Sequence, residues 1–328
     1  MGRKIKRAFT VICVLLLLSG LAFAEGNGGF AGSFLRIGLG ARALGMGNAQ
    51  VAGAANGFGM FYNPAGLPRL QNRLFSLSYS FLSLDRRFNY IGISSPLPPF
   101  AGISVGWIYS GVTNLRSYNS RGEDTGELSN GLNAVYFSFG VSLIQMIQQS
   151  GQLKGARPDL ISIGLSVKYL RESIDDHAEF NYVGSGLGAD LGVMVTPTGN
   201  FSFGYQIKDI NSKLRSNTNN IFDRGSIREN RFPLVQKAGI WYRTPYKGIA
   251  LAYDFEWSDA GQEKHHLGAE FSTRGAVGRV GYDNDHLTLG GGLDFRVYHH
   301  VKLLLDYAFV DSAIDEGVSH VFSWQFIF

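Results

Sequence analysis

Few residues in this chain have the type and spacing that chemistry requires. The run Gly38-Leu39-Gly40-Ala41-Arg42-Ala43-Leu44-Gly45-Met46-Gly47 is glycine-rich, as phosphate loops are. It lacks the Lys-Ser/Thr pair that grips phosphate and metal, and it does not follow a strand, so nucleotide binding is not expected. Gly184-Ser185-Gly186-Leu187-Gly188 carries glycine where a nucleophile elbow needs serine. His265-His266 and His299-His300 are adjacent pairs. Neighbours on a strand point to opposite faces, so neither pair chelates a metal from one side, and both are expected near strand ends at an interface. Asp311, Asp315 and Glu316 fall in an expected external loop, where solvation is a simpler reading than cation binding. The single cysteine, Cys13, lies in an apolar N-terminal run, away from any cleavage junction. No catalytic set, metal site or cofactor is expected, and the chain reads as a non-enzyme.

The elements that would position any site begin with a processing signal. Arg3, Lys4, Lys6 and Arg7 precede an apolar run from Val11, and Ala22-Phe23-Ala24 offers a cleavage site before Glu25. Residues 1–24 therefore read as a cleaved secretory signal peptide, too short in its apolar part to span a bilayer as a helix. The formal charge of +4 resides in those four basic residues, which leaves 26 basic and 26 acidic residues beyond them. Nucleic acid, which wants a clustered basic face, is not an expected partner.

Glycine is abundant, 43 of 328 residues, aromatics make up 13%, and no later stretch of about 20 apolar residues could form a membrane helix. An exported, apolar-leaning chain without such helices points to strands. In 161–169 the odd positions are Ile161, Ile163, Leu165, Val167 and Tyr169, against Ser162, Gly164, Ser166 and Lys168. The same period of two runs through 187–195, 201–207 and 249–257, and it places one set on each face of a strand. Fourteen such segments are expected, at about 73–83, 88–96, 100–110, 133–144, 159–170, 185–196, 200–209, 234–244, 248–257, 264–273, 275–283, 286–297, 299–310 and 318–328. Most have the length a tilted strand needs to cross a bilayer, and an even number suits a single-chain bacterial barrel.

Connections after odd-numbered segments, notably 111–132, 171–184 and 210–233, are long and polar, as external loops are. Those after even-numbered segments are mostly tight, with Pro or Gly; 145–158 is a long exception. One face of the segments carries Lys168, Asp190, Asp254, Glu256, Glu270, Asp294, Arg296, Lys302 and Asp306 among glycines, which suits a polar lumen packed around a plug. The final segment alternates Phe322, Trp324, Phe326 and Phe328 with Ser323, Gln325 and Ile327, an aromatic girdle on a lipid face.

Residues 25–72 do not alternate, and irregular backbone cannot face lipid, so the segment is expected inside the barrel. Its run FLRIGLGARALGMGNAQVAGA, followed by FYNPAGLP, resembles the N-terminal signature of the PorV/PorQ group, which belongs with the FadL-type long-chain fatty acid transporters. On that resemblance Arg36, Gly40, Arg42, Gly45, Gly47, Asn63, Pro64 and Ala65 would form a plug signature, the triplet Asn63-Pro64-Ala65 being similar to one in the FadL hatch. A terminal aromatic strand ending in Phe328 likewise resembles the assembly signal read by the barrel assembly machinery.

The expectation is an all-β protein, a fourteen-stranded antiparallel transmembrane β-barrel over 73–328 with an N-terminal plug over 25–72, in contact with outer-membrane lipid. The resemblance implies two functions. One is passive transport of small hydrophobic molecules, with a hydrophobic ligand. The other is an adaptor role in a type IX-like secretion system, with secretion proteins as partners.

Overall fold

The structure, a computed structural model, describes residues 30–176, 181–217, 225–298, 300–311 and 317–328. The expected signal peptide lies outside the described residues, as do His299, Asp315 and Glu316. Seven strands come first: β1 (Leu74–Phe81), β2 (Arg86–Leu97), β3 (Ala101–Tyr118), β4 (Asp124–Ser142), β5 (Ile161–Asp175), β6 (Asn181–Thr198) and β7 (Phe201–Ile210). A small hairpin, β8 (Lys213–Asn217) and β9 (Ile227–Arg231), follows. Seven more complete the set: β10 (Val235–Arg243), β11 (Ile249–Ser258), β12 (Glu263–Ser272), β13 (Ala276–Asp283), β14 (His286–Tyr298), β15 (Val301–Asp311) and β16 (Val318–Ile327).

Each strand pairs antiparallel with its neighbours, β7 passes directly to β10, and β1 pairs with β16 from Leu74↔Ile327 to Phe81↔His320. Fourteen strands thus close on themselves, and the barrel has no edge left to aggregate. All fourteen expected segments are strands of this barrel. The chain alternation explains the closure: outward positions such as Ile163, Leu165 and Val167 are exposed and apolar, while Ser162, Ser166 and Lys168 between them are buried. Apolar-out, small-or-polar-in is what a wall between lipid and a filled lumen requires.

The connections differ from the sequence expectation in one respect. The expected loop 111–132 is mostly strand, since β3 and β4 continue as a paired ribbon to Tyr118 and Asp124. Within 171–184, β5 and β6 likewise run on to Asp175 and Asn181, and 210–233 holds the β8–β9 hairpin. Polar composition on both faces hid these extensions, because a strand in water on both sides shows no apolar alternation. The long exception, 145–158, is partly accounted for by a short helix, Leu143–Gln148. The two ends of the barrel are therefore unlike: a terminal end, where β1 starts and β16 stops, and a hairpin end carrying the ribbon extensions.

Candidate functional site

Residues 30–72 lie in the lumen. They are almost wholly buried and touch strands all round the barrel. Short one-turn helices at Ala41–Leu44 and Gly59–Tyr62 and 3-10 helices at Ser33–Arg36 and Pro64–Arg69 give the segment its regular structure.

On the β3–β6 side the inner wall is built in layers, each a register row. Near the terminal end one row is glycine in four consecutive strands: Gly102↔Gly140, Gly140↔Gly164 and Gly164↔Gly192. A Cβ at any of these positions would overlap Asn63, Pro64, Leu67 or Pro68, so the row is a shallow trough in which the 3-10 helix lies. The next row is Ser94, Ser104, Ser138 and Ser166, with Ser94–Ser104 and Ser138–Ser166 hydroxyl pairs at 2.8 and 2.7 Å. Further toward the hairpin end stands an apolar row, Tyr90↔Ile108, Ile108↔Ala134 and Ala134↔Leu170. With Phe88, Tyr136, Leu214 and Phe232, and with Phe34, Leu35, Phe58, Met60 and Phe61 from the inner segment, it forms the largest apolar cluster among the described residues.

Charged groups line the wall from β5 round to β15. Lys168 Nζ meets Asp190 and Asp209 at 2.6 Å each, with all three side chains essentially excluded from solvent. Lys237 Nζ lies 2.9 Å from Glu256. His266, 2% exposed, holds Asp283 at 2.8 Å through Nδ1, which also lies 3.0 Å from the Gly47 carbonyl. Arg279 joins Glu270 at 2.8 Å and Asp306 at 2.6 Å. Buried charges are tolerated because each is paired and hydrogen-bonded; removing one partner of such a pair costs about 3–5 kcal/mol.

Sequence reasoning found Lys168, Asp190, Asp254, Glu256, Glu270 and Asp306 on this inner face. It missed Lys208, Asp209, Lys237, Arg279 and His266. His266 was expected at an interface; the structure instead turns it into the lumen, and only His265 faces outward, 2.9 Å from the Tyr253 hydroxyl. Asp209 escaped notice because β7 bulges between Ile207 and Ile210, opposite Asp190, so that adjacent Lys208 and Asp209 are both buried. Asp209 takes a left-handed backbone, φ 64°. Arg296 was expected inside and is exposed, while Asp294 and Lys302 form a half-exposed pair at 3.2 Å near the terminal end.

The expected signature residues are brought together in part. Asn63 Oδ1 accepts from Ala65 N at 3.0 Å, and its amide donates to Val51 O and Val193 O at 2.9 and 3.1 Å, so one side chain starts the 3-10 helix and ties it to β6. Pro64 and Ala65 lie against Gly164. Arg42 Nε lies 3.0 Å from Glu270 and its guanidinium stands 5.4 Å over Trp241. Gly45 crosses β14 at Gly290. Gly47, at φ 61°, passes so close to the Tyr282 and Leu267 carbonyls that no Cβ fits. Gly40 has φ 84° at the start of its helix. Arg36 stands apart near the hairpin end, donating to Ala31 O at 3.1 Å; burial lowers its pKa, against the pull of Asp209 and Glu256. Two ties were not anticipated. Asp254 Oδ2 accepts from both Gln50 N and Val51 N at 2.7 and 2.9 Å. Tyr62 accepts from Leu39 N at 2.8 Å, and burial raises its pKa. Phe322, Trp324, Phe326 and Phe328 lie along the outward face of the closing strand and the residue after it, and Phe75 and Phe326 pack at 6.0 Å across the seam.

Two cavities border the inner segment. At the hairpin end a space of about 30 Å³, room for about one water, lies among Arg36, Tyr62, Lys208, Lys237, His266 and Asp283. At the terminal end a larger one, about 230 Å³, lies between Ala55 and Asn56 of the segment and the wall residues Leu74, Val277, Leu304 and Ile327, beside the Arg42–Glu270–Arg279 network.

The fold this geometry defines is a filled, FadL-like barrel. No known family profile matches the sequence, and no curated protein does. Solved structures do. The chain is similar to the CymD monoaromatic hydrocarbon channel (TM-score 0.60, 14% identity, covering 89% of this chain and 97% of that one). It is similar also to the toluene transporter TodX of P. putida (0.58, 13%, 88% and 96%) and to a FadL homologue of Pseudomonas aeruginosa (0.57, 11%, 88% and 98%). At these identities the likeness is one of fold.

Proposed function

We propose that this chain is an outer-membrane channel that lets small hydrophobic molecules pass without an energy source, with residues 25–72 as its plug. The observation that carries the reading is the apolar row Tyr90–Ile108–Ala134–Leu170, set toward the hairpin end of the lumen beyond the glycine and serine rows of the same strands. A wall that served only to hold a plug could be polar throughout; an apolar strip beside the side chains of Phe58, Met60 and Phe61 gives a hydrophobic molecule a surface to follow. The terminal-end cavity, about 230 Å³, exceeds the 150 Å³ that suffices for benzene in an engineered cavity. The neighbouring folds, a monoaromatic hydrocarbon channel and a toluene transporter, make toluene-sized aromatics the first ligands to test.

In this reading the terminal end faces the periplasm and the ribbons face outward. Residues 1–24 act as a cleaved export signal, and Phe322, Trp324, Phe326 and Phe328 act as the assembly signal. Whole-cell uptake of labelled toluene and of long-chain fatty acids, in a deletion strain with and without the restored gene, tests it. Restored uptake is expected; equal uptake in both strains rules the reading out.

The protruding β3–β4 ribbon, paired to Tyr118, favours a second reading as a docking adaptor for secreted proteins of a type IX-like system. Pull-down from outer-membrane extracts would recover secretion components if it holds.

A further inference from the structure

The outer face of the wall at β5, β6, β8 and β9 carries a basic cluster where the apolar band ends. Register fixes its place. Tyr169 and Leu187 are partners in the last apolar row, and both are exposed. One step along the same face toward the hairpin end the partners are Arg171 and Ser185, and Ser185 pairs in turn with Arg215 of β8. Arg215 stands opposite Glu229 on β9, and Lys213 stands opposite Arg231. These side chains share the outward face, since Leu214 and Ser216 between them are buried. Among the described residues four cations therefore share one carboxylate within the cluster: Glu229 takes Lys213 at 3.1 Å. The next described acid on that face, Asp175, sits two outward positions further along β5.

With strands about 4.8 Å apart, Arg171 and Arg215 lie roughly 10 Å apart across β6. Both side chains can bend toward one group between them, above a floor of Tyr169, Val167 and Leu187. Arginine forks match phosphate oxygens in pairs, and an apolar floor beneath them matches acyl chains.

We propose that Arg171, Arg215 and Arg231 with Lys213 bind the phosphorylated headgroup of an outer-leaflet glycolipid, whose acyl chains lie on Tyr169 and Leu187. The inference rests on the outer-membrane placement above. Bound lipid would pin the β8–β9 hairpin against the membrane. Leu214 and Phe232, at the start of β8 and just after β9, belong to the apolar cluster at the mouth of the lumen.

The test uses the full-length barrel in nanodiscs of phosphatidylcholine doped with bis-phosphorylated lipid A or with its fully dephosphorylated form, and reads retained lipid by native mass spectrometry. Wild type is expected to retain the phosphorylated form and to lose it as salt rises. With each interfacial cation worth roughly a factor of five, R171Q/R215Q/R231Q is expected to weaken retention on the order of 100-fold. The Arg→Lys triple variant keeps the charge and is expected to fall between. Equal retention of the dephosphorylated lipid, or undiminished retention in the Gln triple variant, overturns the proposal. So does displacement by inorganic phosphate alone at equal concentration, which would make the cluster a free-anion site. Heat-modifiable migration of the same preparations shows that every variant is folded. Hydrocarbon uptake, measured separately, reports on the channel reading, so that either can fail without the other.

Discussion

Single residues hold the inner segment by buried hydrogen bonds whose loss leaves orphaned donors. Asp254 is the clearest: one carboxylate oxygen accepts two backbone N–H groups, of Gln50 and Val51, at a site 1% exposed. Asp254→Ala strands both donors, at about 1–3 kcal/mol each. The heat-induced gel shift is expected to move to lower temperature, and a reporter thiol at Ala49→Cys, buried in the wild type, to become reactive with maleimide. Asp254→Asn keeps an acceptor and should lose less. A second tie responds to pH. Arg69 lies 3.4 Å from Asp159 in the connection before β5. Burial pushes the Asp159 carboxyl up, but Arg157 and Arg69 outweigh it and hold its pKa below the usual range. A depressed carboxylate contributes above its unfolded pKa, about 3.9, and the contribution is lost as pH falls through the still lower folded value. Protection from hydrogen exchange over 63–70, taken relative to the intrinsic rate at each pH, is therefore expected to be constant from pH 7 to about 5 and to fall in stronger acid; Asp159→Asn should show the lower protection already at pH 7. None of these ties could be read from the sequence. An aspartate among alternating apolar residues announces its face and not its partner, and the Asp209 bulge breaks the very alternation by which faces are assigned.

At the scale of elements the strands were legible because lipid and lumen impose opposite demands at every second residue. The ribbon extensions were not, since both their faces meet water. The glycines of the inner face could be counted in the sequence, but their alignment into one row across β3, β4, β5 and β6 depends on register, which alternation alone does not fix. That row sets a sharp expectation. Gly164→Val places its side chain where Pro64 and Ala65 run and should lift the 3-10 helix from its trough. Limited proteolysis after Arg69 is expected to become fast. Gly278→Val, at a position with no neighbour within 4 Å, should behave as wild type. The closing strand makes a different prediction. β16 pairs with both β1 and β15 and so closes the barrel. Deleting Phe328 is expected to lower the yield of heat-modifiable barrel in outer-membrane fractions several-fold while leaving its melting temperature little changed, which separates assembly from stability.

The whole molecule is a closed wall around a segment anchored on nearly every side, and in the proposed function this segment nevertheless lets hydrophobic molecules through. If it does, the segment must give way. Ala41 N and Ser323 Oγ lie 2.8 Å apart, which places positions 41 and 323 side by side for an engineered cross-link between segment and wall. The deciding measurement is toluene uptake by cells carrying Ala41→Cys with Ser323→Cys, in oxidising and then in reducing medium. Uptake that is suppressed when the disulfide forms and returns on reduction to the level of the single variants is the predicted result. Uptake that never exceeds that of the deletion strain, in either medium and in the wild type alike, would contradict it.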